Sequence, residues 1–114
     1  MEPIEGDKLR GHLETMVLSV LERGEAHGLE ILRRLDQAGC GLLHLKEGSL
    51  YPALYRLEEA GKVQAVWEEE QHGRRGARRR IYHLTSKGKR QLAKGREEWA
   101  NFVRVIGAIM GAPA

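Results

Sequence analysis

Cysteine, phenylalanine and long apolar runs are scarce in this sequence of 114 residues. Its single cysteine, Cys40, cannot form a disulfide within the chain, which favours a reducing compartment. We predict that Cys40 is buried and inert; a reactive thiol is the alternative. No apolar run approaches the roughly 20 residues needed to cross a bilayer, and the acidic N-terminus lacks the features of a signal peptide. These absences predict a cytoplasmic protein without a membrane partner.

The residue patterns of metal sites and of enzymes are also missing. The histidines and the cysteine show no recognised ligand spacing; the five histidines are His12, His27, His44, His72 and His83. The sequence contains no phosphate-cradling loop, nucleophile elbow or recognisable carboxylate pair. We therefore predict a protein that is not an enzyme and that uses neither a cofactor nor a metal.

Positive charge is concentrated in one short stretch. The net charge is +3, and residues 74–80 contain no acid and five arginines, namely Arg74, Arg75, Arg78, Arg79 and Arg80. Without these five charges the rest of the chain would carry −2. Such local concentration indicates a phosphate-binding element, with a solvated loop as the alternative.

The spacing of apolar residues predicts three helices in the first half of the chain, at about 8–23, 27–38 and 47–60. In the third, Leu50, Leu54 and Leu57 form the buried stripe. Ser49 is expected to cap this helix, with Pro52 in the first turn or just beyond it. Residues 43–45 are a candidate for a very short strand.

Alternating residues then predict a β-hairpin with strands near 63–67 and 79–85 and an arginine-rich tip. A final helix is predicted from Ser86 to about Met110, capped by Thr85 or Ser86. The fold class is mainly α with a small β-hairpin: a winged helix-turn-helix over residues 1–85, followed by a C-terminal dimerisation helix over 86–114. Such a fold can place one helix in the major groove of DNA and lay the arginines of the hairpin along phosphates.

The sequence resembles the PadR-like family of transcriptional regulators from Leu9 to about Ile109. The strongest segment is EGSLYPALYRLE at residues 47–58. It is supported by LRGHLE at 9–14, AHGLEI at 26–31, GRR at 73–75 and RIYHLT at 80–85. Gly76 and Ala77 lengthen the arginine stretch relative to the family pattern, and the short C-terminus resembles the compact branch of the family.

The resemblance implies that the third helix is the recognition helix of a sequence-specific DNA-binding regulator, a repressor that binds double-stranded operator DNA. Its candidate DNA-binding residues are Lys46, Ser49, Tyr51, Pro52, Tyr55, Arg56, Arg74, Arg75, Arg78 and Arg79. As alternatives, Tyr51 or Tyr55 packs against the first helix, and Arg80 pairs with Glu68, Glu69 or Glu70. A winged helix that binds a partner protein, without specific DNA binding, is the alternative function.

Apolar residues at seven-residue spacing in the last helix predict a homodimer. The predicted interface residues are Leu92, Trp99, Phe102, Val103, Ile106 and Ile109. Two-fold symmetry would match a pseudo-palindromic operator with half-sites roughly 34 Å apart. Trp99 and Phe102 are also candidates to bind a small aromatic or drug-like effector that relieves repression; the alternative is that they only pack the interface.

Overall fold

The structure of the protein is a computed structural model that describes residues 2–4, 9, 11–43, 45–69 and 78–111. In these ranges four helices and three short strands follow one another along the chain. They are α1 (Leu13–Leu21), β1 (Ala26–His27), α2 (Gly28–Ala38), α3 (Glu47–Glu59), β2 (Val63–Trp67), β3 (Arg80–Leu84) and α4 (Ser86–Met110). The mainly helical fold with a small hairpin that the sequence predicts is confirmed.

The core lies between the three N-terminal helices, the sheet and the first half of α4. Every helix contributes apolar side chains at three- and four-residue spacing, which bury one face of each element. The largest fully buried side chains are Leu18, Ile31, Leu50, Leu54, Leu57, Leu92, Val17 and Val63. No polar or charged residue is buried among the described residues.

The three strands form one antiparallel sheet in the order β1-β3-β2. The sequence does not predict β1, because two residues are too few to show a period of two. We refer to β2, β3 and the connection between them as the wing; residues 70–77 of this connection, which include most of the predicted arginine-rich tip, lie outside the described residues. Leu43 forms an isolated bridge with Ile4 instead of the short strand predicted for 43–45, of which His44 lies outside the described residues.

Three local predictions are wrong. The helix α1 begins at Leu13 rather than near residue 8, because the chain turns at Gly11, which has a φ of 88°. In this turn the N–H of His12 donates a hydrogen bond to the carbonyl oxygen of Leu9. Ser49 is not the cap of α3, since Lys46 holds that position with extended backbone. Cys40 is exposed, because it lies in the turn after α2 with a φ of 58°.

The first half of α4 packs against α1. Of the two predicted caps, Thr85 and Ser86, it is Thr85 that caps the helix, by accepting a hydrogen bond from the N–H of Gly88 at 3.1 Å. Leu92 is only 1% exposed, so its assignment to a dimer interface is wrong: this part of α4 faces the protein's own core. The boundary between residues 85 and 86 stays a prediction. None of the helices in the described ranges combines the length and the hydropathy of a membrane-spanning segment.

Candidate nucleic-acid interface

The outer face of α3 is polar and aromatic because its leucines point inward. Leu50, Leu54 and Leu57 are buried. The predicted contact residues of this helix and its cap are all exposed: Lys46, Ser49, Tyr51, Pro52, Tyr55 and Arg56. A helix of about this width fits the major groove, so this face can present hydrogen-bonding groups to base edges.

Tyr51 lies against the N-terminus of α2. A methyl group added at Gly28, the first residue of α2, would collide with the Tyr51 hydroxyl. The absence of a side chain at Gly28 therefore leaves the space that the phenol ring uses. Tyr55 lies one turn further along α3 and is 65% exposed, which makes its ring the most accessible aromatic group of this face.

Arg56 is engaged in an ion pair on the surface. Its Nε lies 3.5 Å from a carboxylate oxygen of Glu14 in α1, and both side chains are about half exposed. Exposed ion pairs stabilise proteins by less than about 1 kcal/mol. Arg56 can therefore exchange Glu14 for a phosphate at little cost.

Arg80 is anchored to α3 and not to the facing strand. Its Nη1 and Nη2 donate to the two carboxylate oxygens of Glu58 at 3.3 and 2.8 Å. Of the alternative partners Glu68, Glu69 and Glu70, the first two do not pair with Arg80, and Glu70 lies outside the described residues. Strand side chains alternate between faces, and Arg80 shares the face of Tyr82, which is buried against the core. Glu58 lies under that face.

The charges of Arg78 and Arg79 are not neutralised by a carboxylate within the described residues. The guanidinium of Arg79 donates to Nε2 of His27 at 3.0 Å, and Arg78 lies 6.0 Å from the ring centroid of Trp67. Both arginines are exposed. They retain the positive charge that a phosphate contact requires. Arg74 and Arg75 lie outside the described residues.

His27 connects the wing to α2. Its Nδ1 accepts a hydrogen bond from the N–H of Glu30 at 3.3 Å, which caps α2. A guanidinium can only donate, so Nε2 accepts from Arg79. A neutral imidazole has one accepting nitrogen, so at any moment His27 either caps α2 or accepts from Arg79.

The described residues of the wing, α3 and the N-terminus of α2 thus meet on one surface that carries unneutralised arginines, hydroxyl groups and aromatic rings. A family model described as "Transcriptional regulator PadR-like family" matches residues 17–94. The chain belongs to the PadR-like family. It is a DNA-binding transcriptional regulator with the winged-helix fold of that family.

Solved structures of similar proteins support the same assignment. A transcriptional regulator from Clostridium thermocellum is 32% identical, with a TM-score of 0.81 over 90% of this chain and 97% of that chain. A PadR family transcription regulator from Clostridium difficile is 30% identical, with a TM-score of 0.75 over 89% of this chain and all of that chain. The transcriptional regulator YqjI of Escherichia coli is 30% identical over 88 residues, which are 77% of this chain and 39% of that protein.

The C-terminal part of α4, residues 99–110, forms a second surface of this PadR-like protein; we refer to it as the far half of the helix. Trp99 and Phe102 stack with ring centroids 5.8 Å apart and planes 15° from parallel. The His12 ring meets them edge-on at 5.3 and 6.2 Å. Val103 and Ile109 are exposed on the same stretch of helix, and Ile106 is half-buried.

Two contacts of the DNA-facing surface could not be predicted from the sequence. Glu58 and Arg80 are 22 residues apart, and His27 and Arg79 are 52 residues apart. Neither spacing belongs to a helix or strand repeat, so only the packing of the wing on α2 and α3 brings these groups together. For Trp67, the sequence predicts only a position in a strand.

Proposed function

We propose that this PadR-like regulator binds a pseudo-palindromic operator as a homodimer and represses transcription. The observation that carries the proposal is the combination of an exposed polar face on α3 with arginines of the wing that no described carboxylate neutralises. In this proposal Lys46, Ser49, Tyr51, Pro52, Tyr55 and Arg56 contact DNA from α3 and its cap. Arg74, Arg75, Arg78 and Arg79 contact it from the wing.

The exposed face of α4 supports the homodimer. Trp99, Phe102, Val103 and Ile109 are between 44% and 76% exposed in the single chain. With Ile106 they recur at three- and four-residue spacing, so they share one side of the helix. An apolar face of this kind on a soluble protein marks an interaction surface, and a second copy offers the same face in return.

The stacked rings of Trp99 and Phe102 support an effector site at this interface. Planar aromatic molecules bind well between or beside such rings. We propose that a small aromatic ligand binds there and relieves repression by changing the separation of the two wings.

Titration of DNA upstream of the protein's own gene in a gel-shift assay tests the DNA-binding proposal. We expect saturable binding that survives excess competitor DNA, with an affinity in the nanomolar range typical of specific regulators. Weak binding that disappears with added salt would contradict the proposal and favour a protein partner for the winged helix.

The salt dependence of binding tests the wing assignment. Each phosphate contact contributes about 0.9 to the slope of log K against log salt. Arg78→Ala combined with Arg79→Ala removes two contacts from each protomer of the homodimer, so it should lower the slope by about 3.6. Arg104→Ala is the matched control, because Arg104 is exposed on α4 and bonded only to Asn101 among the described residues. Equal slopes for the wing variant and the control would show that these arginines do not contact DNA.

A further inference from the structure

Beneath the wing lies an open cleft of about 380 Å³. The N-terminus of α2 forms one wall, Tyr51 of α3 forms the second, and β2 with β3 forms the third. Its apolar lining includes Leu29 and Trp67, and Arg78 and Arg79 line its charged side. The cleft is continuous with the exposed face of α3 through Tyr51.

The guanidinium groups of two arginines lie over the indole ring of Trp67 in this cleft. Arg80 lies 5.6 Å and Arg78 lies 6.0 Å from the centroid of the indole ring. Arg80 also lies 5.9 Å from the centroid of Tyr82. Since Glu58 binds Arg80 through both carboxylate oxygens, the ion pair fixes the guanidinium that supports the indole ring. A cation over an aromatic face is attracted by the ring quadrupole.

Trp67 nevertheless remains accessible. It is 57% exposed, and within the described part of the chain its indole N–H makes no hydrogen bond. An amphipathic ring of this kind offers an apolar face and a single donor. The neighbouring guanidinium groups of Arg78 and Arg79 add donors that match phosphate oxygens.

We propose that this cleft binds the sugar–phosphate backbone of the operator, with Trp67 as a DNA contact and the Glu58–Arg80 pair as its positioning element. The proposal rests on the DNA-binding function proposed above. The indole ring packs against a deoxyribose and its N–H donates to a phosphate oxygen. Arg78 and Arg79 bind the phosphates on either side. We assign DNA to the cleft because Arg78 and Arg79, which line it, carry positive charges that favour a polyanion.

Protection of Trp67 from a quencher tests the contact directly. The sequence has two tryptophans, so Trp99→Phe leaves Trp67 as the only indole fluorophore. Acrylamide quenching is measured with and without a duplex of about 30 base pairs from upstream of the gene, long enough for two half-sites. Anisotropy of the labelled duplex reports binding in the same samples. We expect bound DNA to lower the quenching constant at least about twofold, because a half-exposed ring becomes covered.

The two measurements separate this inference from the function on which it rests. Bound DNA with an unchanged quenching constant overturns the Trp67 contact and leaves DNA binding intact. Absence of binding in the anisotropy assay, in the Trp99→Phe variant and in the unchanged protein, overturns both.

Substitutions test the energetic role of the indole ring. Trp67→Ala should weaken binding about 5- to 30-fold, as loss of a packed ring and one hydrogen bond does, without changing the salt slope, because the ring is uncharged. Trp67→Phe should recover part of the loss. Val66→Ala is the matched control: Val66 is also exposed, but it lies on the opposite face of β2. An affinity of Trp67→Ala equal to that of Val66→Ala would overturn the proposal.

The positioning role of Glu58 is tested by a double-mutant cycle. Glu58→Asp keeps the charge but shortens the side chain that holds Arg80. It should weaken DNA binding in the unchanged protein and have little further effect in Trp67→Ala, because the two residues act through one contact. Equal losses in both backgrounds, accompanied by a lower thermal midpoint, would show that the pair only stabilises the fold.

Discussion

Gly88 lies where the first turn of α4 meets the residues that follow α3. A methyl group there would collide with the carbonyl oxygen of Lys62, and backbone cannot move aside as a flexible side chain can. We expect Gly88→Ala to lower the free energy of unfolding by about 1–3 kcal/mol, measured by urea denaturation.

Gly48 is the matched control for this substitution. It lies in the first turn of α3, and a methyl group there would meet no atom within 4 Å. Alanine is the better helix former, so Gly48→Ala should raise the free energy of unfolding by up to about 1 kcal/mol. Equal effects at the two glycines would refute the close approach of α4 to Lys62.

At the scale of a single element, α2 is stabilised by a carboxylate in its first turn. Glu30 accepts hydrogen bonds from Arg33 at 2.8 and 2.5 Å and from Arg34 at 3.3 Å. The hydrogen bond from Arg33 is the largest of the influences that lower the pKa of Glu30 to about 2 from an ordinary value of 4.5. The carboxylate also lies at the positive end of the helix dipole.

This shift predicts how stability depends on pH. The folded-state pKa lies below that of the unfolded chain, so the contribution of Glu30 is complete above about pH 4.5 and is lost as the pH falls toward 2. We expect the thermal midpoint of the unchanged protein to fall more steeply over this range than that of Glu30→Gln. Parallel curves for the two proteins would contradict the assignment. Glu25→Gln, at an exposed position before α2, is the control for loss of a carboxylate.

At the scale of the whole molecule, the two halves of α4 have different roles. Ile109, in the far half, is 76% exposed, so Ile109→Glu should leave the folded chain intact and weaken self-association. Leu92, in the near half, is buried in the core, so Leu92→Ala should cost about 2–5 kcal/mol of folding stability. Sedimentation equilibrium and urea denaturation separate the two effects. A fully dimeric Ile109→Glu protein at micromolar concentration would contradict the proposed interface.

Most of the fold could be predicted from the sequence because its elements are strongly patterned. The leucine stripe of α3, the alternation of β2 and the cap of α4 are local features. The stripe and the strand lie at their predicted positions, and Thr85 is one of the two predicted caps. The start of α1 was missed because apolar spacing continues through Leu9 while Gly11 turns the chain.

The DNA-facing surface could be predicted in part. The exposed residues of α3 follow from its buried stripe, since a helix that buries one face must expose the other. The environment of Arg80 did not follow, because a charged residue in a strand can pair across the sheet or beneath it. Leu92 was misassigned for a similar reason: a seven-residue spacing places Leu92 and Trp99 on one side of α4 without showing that the near half meets α1.

Neighbours along the chain are therefore enough to predict the order of the four helices and the two hairpin strands, the resemblance to PadR-like regulators and the concentration of arginine in residues 74–80. Which arginine charges are neutralised depends instead on contacts between elements that are distant in sequence. Glu58 binds Arg80 and Glu14 binds Arg56. Among the described residues, no carboxylate forms an ion pair with the guanidinium of Arg78 or Arg79, although Glu68 accepts a hydrogen bond from the backbone N–H of Arg79. The physical reason is that ion pairs form over a few ångströms between groups far apart in sequence, so the packing of α1, α3 and the wing assigns the partners.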